Sequence, residues 1–209
     1  MRRTLAYYGS IIAALFCAGC QGGGLTVNKG GDSSFYQDPR LATAGLIWAT
    51  NEICVPVVVD RRDEVELINS KGLKTIFQDV RGVKVRRYYA EKYPLTFITI
   101  TKSGPNPICD SSVSTTSESA LEEIFRRTVA GTVVTGHEVS VPRDVEVPGA
   151  LGDVYQKSLL CVHGKNNAVV SISVPESLVK NGPTIRPAVQ GLDVLVVSNK
   201  IVLAANGCG

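Results

Sequence analysis

Two histidines are the side chains of this chain best suited to proton transfer near neutral pH. His137 lies in TGHEVS and His163 lies in CVHGKN, and the sequence contains no other histidine. A histidine acts as a general base when a carboxylate orients it and a hydroxyl or thiol lies within reach. Neither histidine belongs to an HExxH motif, and the chain has no GxSxG nucleophile motif. We therefore predict that both are ordinary strand or turn residues, and we assign no catalytic residue.

Charged side chains are concentrated in the sequence DRRDEVE. Carboxylates at helical spacing can perform acid–base catalysis, and clustered carboxylates can bind calcium. No Asx–Gly calcium loop accompanies this cluster, so the charged outer face of a helix is the favoured interpretation. We predict a helix from Arg62 to Ser70 that is capped by Asp60 and ends before Gly72. The carboxylates of the cluster are Asp60, Asp63, Glu64 and Glu66.

The first twenty residues have the composition of an export signal. Two arginines precede the apolar run LAYYGSIIAALF, and the small residues Ala18 and Gly19 come directly before Cys20. The segment LFCAGC resembles the lipobox of bacterial lipoproteins, in which the cysteine is lipidated and becomes the first residue of the mature chain. That resemblance implies that residues 1–19 are a lipoprotein signal peptide and that Cys20 carries the lipid.

The alternatives are an ordinary signal peptide cleaved near Ala18 or a buried apolar helix, and either would leave Cys20 as a disulfide partner. In the lipoprotein interpretation, palmitate and other acyl chains hold the protein on the membrane, since each buried methylene contributes about 0.8 kcal/mol. The mature protein then needs no transmembrane helix. Gln21 follows the cysteine where inner-membrane retention would use Asp, so the resemblance implies the outer membrane of the cell envelope, facing the periplasm.

The segment that follows Cys20, QGGGLTVNKGGDSS, contains five glycines and few apolar residues. We predict that residues 20–37 form a flexible tether, which spans on the order of 20 Å as a random coil. Residues 38–209 then form the folded domain. Two subdomains, 38–130 and 131–209, are an alternative to a single one.

Charge argues against a nucleic-acid partner. Removal of Arg2 and Arg3 with the signal peptide leaves 20 of the 22 basic residues against 19 acidic ones. The segment VKVRRYY combines arginines with tyrosines, but neighbouring residues of a strand point to opposite faces. Arg86 and Arg87 therefore cannot form one basic surface, and no nucleic-acid binding is predicted.

Four cysteines remain once Cys17 is cleaved off and Cys20 is lipidated: Cys54, Cys109, Cys161 and Cys208. An even number of cysteines in an exported chain predicts disulfide bonds, and four cysteines allow three pairings. We prefer Cys54 with Cys109 and Cys161 with Cys208, because each pair would close one half of the chain. These cysteines show no CxxC spacing, so no metal site is predicted.

The order of the elements predicts an α+β fold in which N-terminal helices and a hairpin precede a strand-rich C-terminal half. Asp38 and Pro39 begin the first helix and Pro56 ends it. The segments VKVRRYY and LTFITIT form the hairpin, and SGPNPICDSS is a loop. A helix from Ser119 to Ala130, with Ser119 as its cap, buries an apolar stripe.

The C-terminal half is predicted to contain a strand in TVVTGHEVSV, a connection in PRDVEVPGALGD and a hairpin in KSLLCVHGKNNAVVSISV. Short helical turns are predicted in PESLVKNG and RPAVQG. Two apolar strands around a turn at residues 198–200 complete the chain. Both strands need paired or internal positions, because exposed edges of this kind aggregate.

Together these features predict a membrane-anchored envelope lipoprotein with a non-enzymatic structural, assembly or binding role. Its expected partners are the membrane, through the lipid on Cys20, and an envelope protein. The alternative is an envelope hydrolase in which His137 or His163 acts with a serine or a carboxylate that folding brings near. No cofactor is predicted.

Overall fold

The computed structural model describes residues 38–80, 83–103, 106–115, 118–132, 134, 136–148, 154–175 and 190–208. The predicted signal peptide, Cys20 and the predicted tether lie outside these residues. Most of the two short helical turns predicted after Val174 also lies outside them. The helices are α1 (Pro39–Ala49), α2 (Val55–Val58), α3 (Glu64–Ser70), α4 (Glu118–Gly131) and α5 (Lys200–Ala205), and a π-helical segment (Thr50–Cys54) joins the first two.

Helix α1 begins where the sequence predicts, but the helical path continues past its expected end. The Asp38 side chain accepts a hydrogen bond from the Arg40 N–H at 2.9 Å, and Pro39 occupies the first turn. Pro56 lies inside α2, and the path runs on to Val58. The π-helical segment before Pro56 is already an irregular turn, so the missing proline N–H interrupts no regular hydrogen-bond ladder. The prediction that Pro56 ends the helix is therefore wrong.

The stretch Pro39–Val58 is the one part of the described residues that is long and apolar enough to cross a membrane, with a mean hydropathy of 1.4. More than half of its apolar window, 56%, is buried inside the fold. Leu46, Ile53 and Val58 are fully buried and belong to the main hydrophobic core. The stretch packs in this structure as a core helix does.

Within the described residues, nine strands form one sheet: β1 (Lys74–Val80), β2 (Val83–Ala90), β3 (Tyr93–Ser103), β4 (Asn106–Thr115), β5 (Glu138–Val139), β6 (Arg143–Pro148), β7 (Val154–His163), β8 (Ala168–Pro175) and β9 (Gln190–Val197). Their spatial order is β1-β2-β3-β4-β9-β8-β7-β5, and β6 also pairs with β7. Every described pair is antiparallel. Because β9 lies between β4 and β8, the sheet joins both halves of the chain.

Helices α1, α2 and α4 cover one face of the sheet, the inner face. Ile98, Ser111, Val194 and Ile172 form one row across four neighbouring strands of this face, and all four are fully buried. Helix α1 approaches the sheet so closely that a Cβ at Gly45 would lie 2.1 Å from the Thr96 Oγ1 atom. Apolar burial on this face supplies the main core.

The opposite, outer face is covered in part by α5. Leu159, Val169 and Cys208 form a second, smaller core with Val202 and Leu203. The sequence prediction placed a strand where α5 lies, and that prediction is wrong. The Asn199 side chain accepts the Ile201 N–H at 2.9 Å and caps a helix, whose apolar residues pack on the sheet without needing a strand partner.

Both preferred disulfide pairings are present, one on each face of the sheet. The Cys54–Cys109 bond joins the π-helical segment to β4, and both residues are fully buried in the main core. The Cys161–Cys208 bond joins β7 to the residue three positions after α5. Their Cα–Cα distances are 5.2 and 5.3 Å. Each bond therefore attaches a helical layer to the sheet.

The mixed α+β class is confirmed, but the strands are not confined to the C-terminal half. The hairpins β2–β3 and β7–β8 and the helix α4 match the predictions. Strand β1 was not predicted, and β4 and β6 lie in segments predicted to be a loop and a connection. Serine at the fully buried position 111 interrupts the alternation of apolar residues that identifies a strand such as β4. Helix α4 begins at Glu118, one residue before its predicted cap.

Candidate functional site

The charged segment DRRDE, residues 60–64, is a loop between α2 and α3, and we call it the DRRDE loop. Helix α3 begins at Glu64, and Asp63 caps it by accepting the N–H three residues further on at 2.9 Å. The predicted helix start at Arg62 and the predicted cap Asp60 are therefore wrong. Asp63 has the spacing of a cap that bonds to the third helical N–H, which leaves Asp60 available for another contact.

That contact is with His137, in the turn before β5. The Asp60 Oδ1 atom lies 2.8 Å from His137 Nε2, and the histidine side chain is only 13% exposed. Gly164, in the turn after β7, packs against the imidazole ring: a Cβ there would lie 2.8 Å from His137 Cδ2 and 2.5 Å from a methyl group of Val59. Folding thus brings a carboxylate to one of the two predicted candidate histidines.

The second candidate, His163, occupies a different place. It is the last residue of β7 and lies opposite Glu138 of β5 in the strand ladder. His137 and His163 therefore sit at the same end of the sheet, on either side of the short β5–β7 pairing. Of the two, His137 is the one that a carboxylate holds by a direct hydrogen bond.

Hydrogen bonds fix both the DRRDE loop and Val59, the residue that precedes it. The backbone N–H and the side-chain amide of Asn166 both donate to the Val59 carbonyl, each at 3.1 Å. Arg61 has a φ of 59°, a left-handed conformation that costs a non-glycine residue about 1 kcal/mol. Its guanidinium donates a hydrogen bond to the Asn106 side-chain oxygen at the start of β4. The loop is held in a strained conformation that carries Arg61 towards the sheet.

Glu64 links the DRRDE loop to strands β2 and β3. Its Oε1 atom accepts a hydrogen bond from the Tyr88 hydroxyl at 3.1 Å, and its Oε2 atom lies 3.4 Å from Lys102 Nζ. The Glu64 side chain is 14% exposed, whereas that of Lys102 is 74% exposed. Burial raises the pKa of the Tyr88 hydroxyl, which therefore stays protonated and able to donate.

Residues 61–64 of the DRRDE loop line one side of an open cleft of about 310 Å³, which we call the DRRDE cleft. That volume is at the lower end of the range for small-ligand sites. The lining contains three cationic and two carboxylate side chains together with Pro107 and the buried Val57: Val57, Arg61, Arg62, Asp63, Glu64, Lys102 and Pro107. The cleft can therefore receive an anionic group.

A second group of charges lies on the outer face of the sheet. Asp110 of β4 and Asp193 of β9 are diagonal neighbours, because Asp110 pairs with Leu195 and Asp193 pairs with Ser112. Burial raises the pKa of Asp110 well above its usual value, and the neighbouring Asp193 carboxylate raises it further. Burial also raises the pKa of Asp193 to about 6, and the guanidinium of Arg87 opposes both shifts.

Neither the lining of the DRRDE cleft nor the Asp110–Asp193 pair follows from local sequence. The DRRDE segment was recognised as charged, but Lys102 and Pro107 come from two other strands and carry no local signal. Asp110 and Asp193 stand in segments that look like a polar loop and an apolar strand. Within the described parts of the chain, no group of three or more histidine, cysteine or carboxylate side chains is arranged to hold a metal ion.

No protein-family model, no curated protein and no solved structure matches this chain.

Proposed function

We propose that this protein is an envelope lipoprotein, anchored through Cys20, whose folded domain has a non-enzymatic binding role. The support for the anchor is the order of basic residues, apolar run, small residues and Cys20. The two disulfide bonds support an oxidising compartment outside the cytoplasm. Gln21 after the lipidated cysteine supports the outer membrane, with the domain on the periplasmic side.

The observation that carries the binding role is the DRRDE cleft. It is open to solvent, has a volume of about 310 Å³, and is built on a loop that three separate parts of the fold hold in place. A strained backbone at Arg61 persists only because these contacts determine it, and such strain is concentrated at binding and switch regions. A tether on the membrane side would leave this cleft free to meet a partner in the envelope.

The anchor is tested by mass spectrometry of the protein purified from its native membranes without reductant. We expect a chain that lacks residues 1–19, carries acyl chains on Cys20 and has no thiol that reacts with a labelling reagent. The variant Cys20→Ala is the control, and it should fail to incorporate labelled palmitate. A full-length chain with unmodified Cys20 and reactive thiols would disprove the anchor and the compartment.

The binding role is tested by photocrosslinking in cells. A photoreactive amino acid at Glu66, an exposed position beside the Asp63 cap, should give one discrete crosslinked product. The product should disappear when Arg62→Ala is added and persist when Arg126→Ala is added on the exposed face of α4. Val141, which is 87% exposed, is the control position and should give no product. Products of equal yield at positions 66 and 141 would contradict the proposal.

A second candidate function rests on the hydrogen bond between Asp60 and His137. A histidine that a carboxylate orients supplies two of the three groups that activate a hydroxyl nucleophile, namely the base and the group that orients it. An envelope hydrolase is therefore the alternative. A hydrolase of this kind should cleave p-nitrophenyl acetate in a reaction that depends on His137 and not on His163. Loss of hydrolysis in His137→Ala, with His163→Ala unchanged, would favour the hydrolase over the binding role.

A further inference from the structure

We propose that the edge of β1 that faces away from β2 pairs with β1 of a second copy of this chain. The sheets of the two copies then join into one antiparallel sheet, and Phe77, the middle residue of β1, lies at the twofold axis. This interface goes beyond the proposed binding function, and it does not include the lining of the DRRDE cleft.

Strand β1 has the backbone of an edge that can accept another strand. Among the described strands it pairs with β2 alone, and its seven residues follow β2 in one continuous register without a bulge. Alternate residues of an edge strand direct their N–H and C=O groups away from the sheet, where another strand can pair with them. Bulges, prolines and very short strands normally prevent such pairing. The segment KTIFQDV has none of these features.

The opposite edge of the sheet does have such features. Strand β5 contains only two residues, and β6 follows Pro142 and ends at Pro148, each of which lacks a backbone N–H. Arg143, at the start of β6, is exposed, and its guanidinium donates to the Asn206 carbonyl at 3.0 Å. A charged side chain on an edge strand also discourages pairing. The contrast between the two edges indicates that β1 is the edge built to receive a strand.

The middle of β1 exposes a large apolar side chain. Phe77 is 63% exposed, although its ring is in contact with a neighbouring strand. That contact is with Arg86 of β2, whose guanidinium carbon lies 5.6 Å from the ring centre. An aromatic ring that remains exposed to water stabilises an interface when a partner buries it. The apolar contact and the backbone pairing would therefore occur at the same place.

A second copy of β1 complements this strand along its whole length. When two antiparallel copies overlap over all seven residues, Phe77 lies opposite Phe77 of the second copy. This register keeps residues of one face together and joins the outward backbone groups of both copies. Lys74 then lies opposite Val80, and Thr75 lies opposite Asp79. No like charges face each other directly, which such a pairing requires.

The symmetry of this pairing closes the assembly at two copies. Each copy uses its β1 edge, and the opposite edges resist pairing for the reasons given above. The twofold axis lies normal to the sheet, so Asp38 at the start of α1 has the same height along the axis in both copies. If Cys20 is lipidated as proposed, both chains can share one membrane, and that confinement raises the concentration of each edge near the other.

The register is tested by disulfide trapping in the full-length protein in its native membranes, oxidised with copper phenanthroline. The two residues at position 77 should have Cα atoms about 5 Å apart, within the range of a disulfide bond. Phe77→Cys should therefore give a product of twice the chain mass on a non-reducing gel. Gln78→Cys is the matched control, because its two copies lie about 8 Å apart, beyond that range. It should give at least about tenfold less product.

The parent protein carries every native cysteine and should give no such product. Equal yields from Phe77→Cys and Gln78→Cys would rule out this register. A product whose mass is not twice that of the chain would show that the edge receives a different protein, and it would overturn the pairing of two copies. Absence of any product from Phe77→Cys would overturn it as well.

The affinity is tested with Phe77→Lys, by sedimentation equilibrium of the full-length protein in detergent. Two lysines that face each other across the axis repel, so the Kd of the dimer should rise at least about tenfold. The fold should be retained, because this side chain is largely exposed. Val141→Lys is the matched control at an 87% exposed position between β5 and β6, and it should leave the Kd unchanged. An unchanged Kd in Phe77→Lys would contradict the interface.

The crosslink at position 66 distinguishes this interface from the binding function of the DRRDE cleft. It should persist in Phe77→Lys, since the two surfaces are separate. Loss of that crosslink in the parent protein, with trapping at position 77 intact, would remove the binding function and leave the pairing of two copies in place.

Discussion

The two faces of the sheet are stabilised by different means. The inner face is covered by α1, α2 and α4, and the row Ile98, Ser111, Val194 and Ile172 is fully buried beneath them. In the described residues, the short α5 covers one part of the outer face, the carboxylates of Asp110 and Asp193 lie on the central strands β4 and β9, and the Arg87 guanidinium of β2 interacts with both. Since apolar burial drives folding, most of the stability should come from the inner face. The outer face is then free to carry charge.

The largest expected difference concerns the two disulfide bonds. Removal of the inner bond by C54A with C109A should lower the free energy of unfolding by about 4 kcal/mol or more, from loop entropy and from an added core cavity. The outer pair, C161A with C208A, closes a loop of similar length and serves as the matched control. Urea unfolding followed by circular dichroism should show the smaller loss for this pair. Equal losses would contradict the difference between the faces.

A pair of adjacent leucines tests the same comparison without disulfides. Leu160 of β7 points to the inner face and is 1% exposed, whereas Leu159 points to the outer face and is 9% exposed. Leu160→Ala should cost about 3 kcal/mol, because the cavity forms in a closely packed core. Leu159→Ala should cost about 1 kcal/mol less, since its neighbours on α5 can move. Thermal unfolding measures both, and a greater loss for Leu159→Ala would reverse the comparison.

A smaller effect is expected from the contact between α1 and the sheet. Gly45→Ala should destabilise the protein by about 2 kcal/mol through overpacking, although alanine favours helices. The cause is the 2.1 Å separation between a Cβ at this position and Thr96 Oγ1. Gly131→Ala is the control, because its Cβ would meet only the terminal methyl group of Ile47, which can move. Calorimetry that shows Gly45→Ala as stable as the parent would argue against this close approach.

The smallest expected effect is the pH dependence of the outer face. Burial raises the folded-state pKa of Asp193 to about 6, so stability falls as pH rises from about 4 to about 6, and the full cost of the charged carboxylate is present above that pH. Asp193→Asn removes that charge, so that Asp110 is then the carboxylate of this pair that interacts with the Arg87 guanidinium. We expect the variant to be about 1 kcal/mol more stable than the parent at pH 8, because partial exposure reduces the effect, and equally stable at pH 4.

Urea unfolding at both pH values measures this change. Ser173→Ala, which lies opposite Asp193 on β8, controls for the loss of a polar contact and should show no pH dependence. A variant Asp193→Asn that is less stable than the parent at pH 8 would show that the carboxylate stabilises the outer face after all.

Local sequence accounts for several parts of this fold. Asp38 and Pro39 specify the start of α1, because a side-chain acceptor and a fixed φ satisfy the first helical turn without help from other elements. The apolar stripe of α4, in which Leu121 and Ile124 are buried, follows from the helical spacing of its apolar residues. The hairpins β2–β3 and β7–β8 follow from β-branched runs on either side of polar turns. Both disulfide pairings were preferred from the division of the chain into halves.

Other parts could not be read from local sequence. Ser111 is buried at a core position of β4, where composition suggests a loop, because the helices above it decide its burial. The segment after Asn199 is as apolar as a strand, and it is a helix because the small core around Cys161 and Leu159 lies beneath it. Asp63 caps α3 in place of Asp60, whose carboxylate is instead hydrogen-bonded to His137 from a distant part of the chain.

The candidate site shows the same division. Residue types and their order along the chain decided the predicted export and lipidation at Cys20, the expectation of disulfide bonds among four cysteines, and the charge of the DRRDE segment, because each depends on near neighbours or on simple counting. The pairing itself was one preference among three and is shown by the tertiary structure. Tertiary packing alone brought Asp60 to His137, Arg61 to Asn106, and Lys102 and Pro107 to the cleft. Those contacts join residues far apart in the chain, and their positions depend on the order and register of all nine strands.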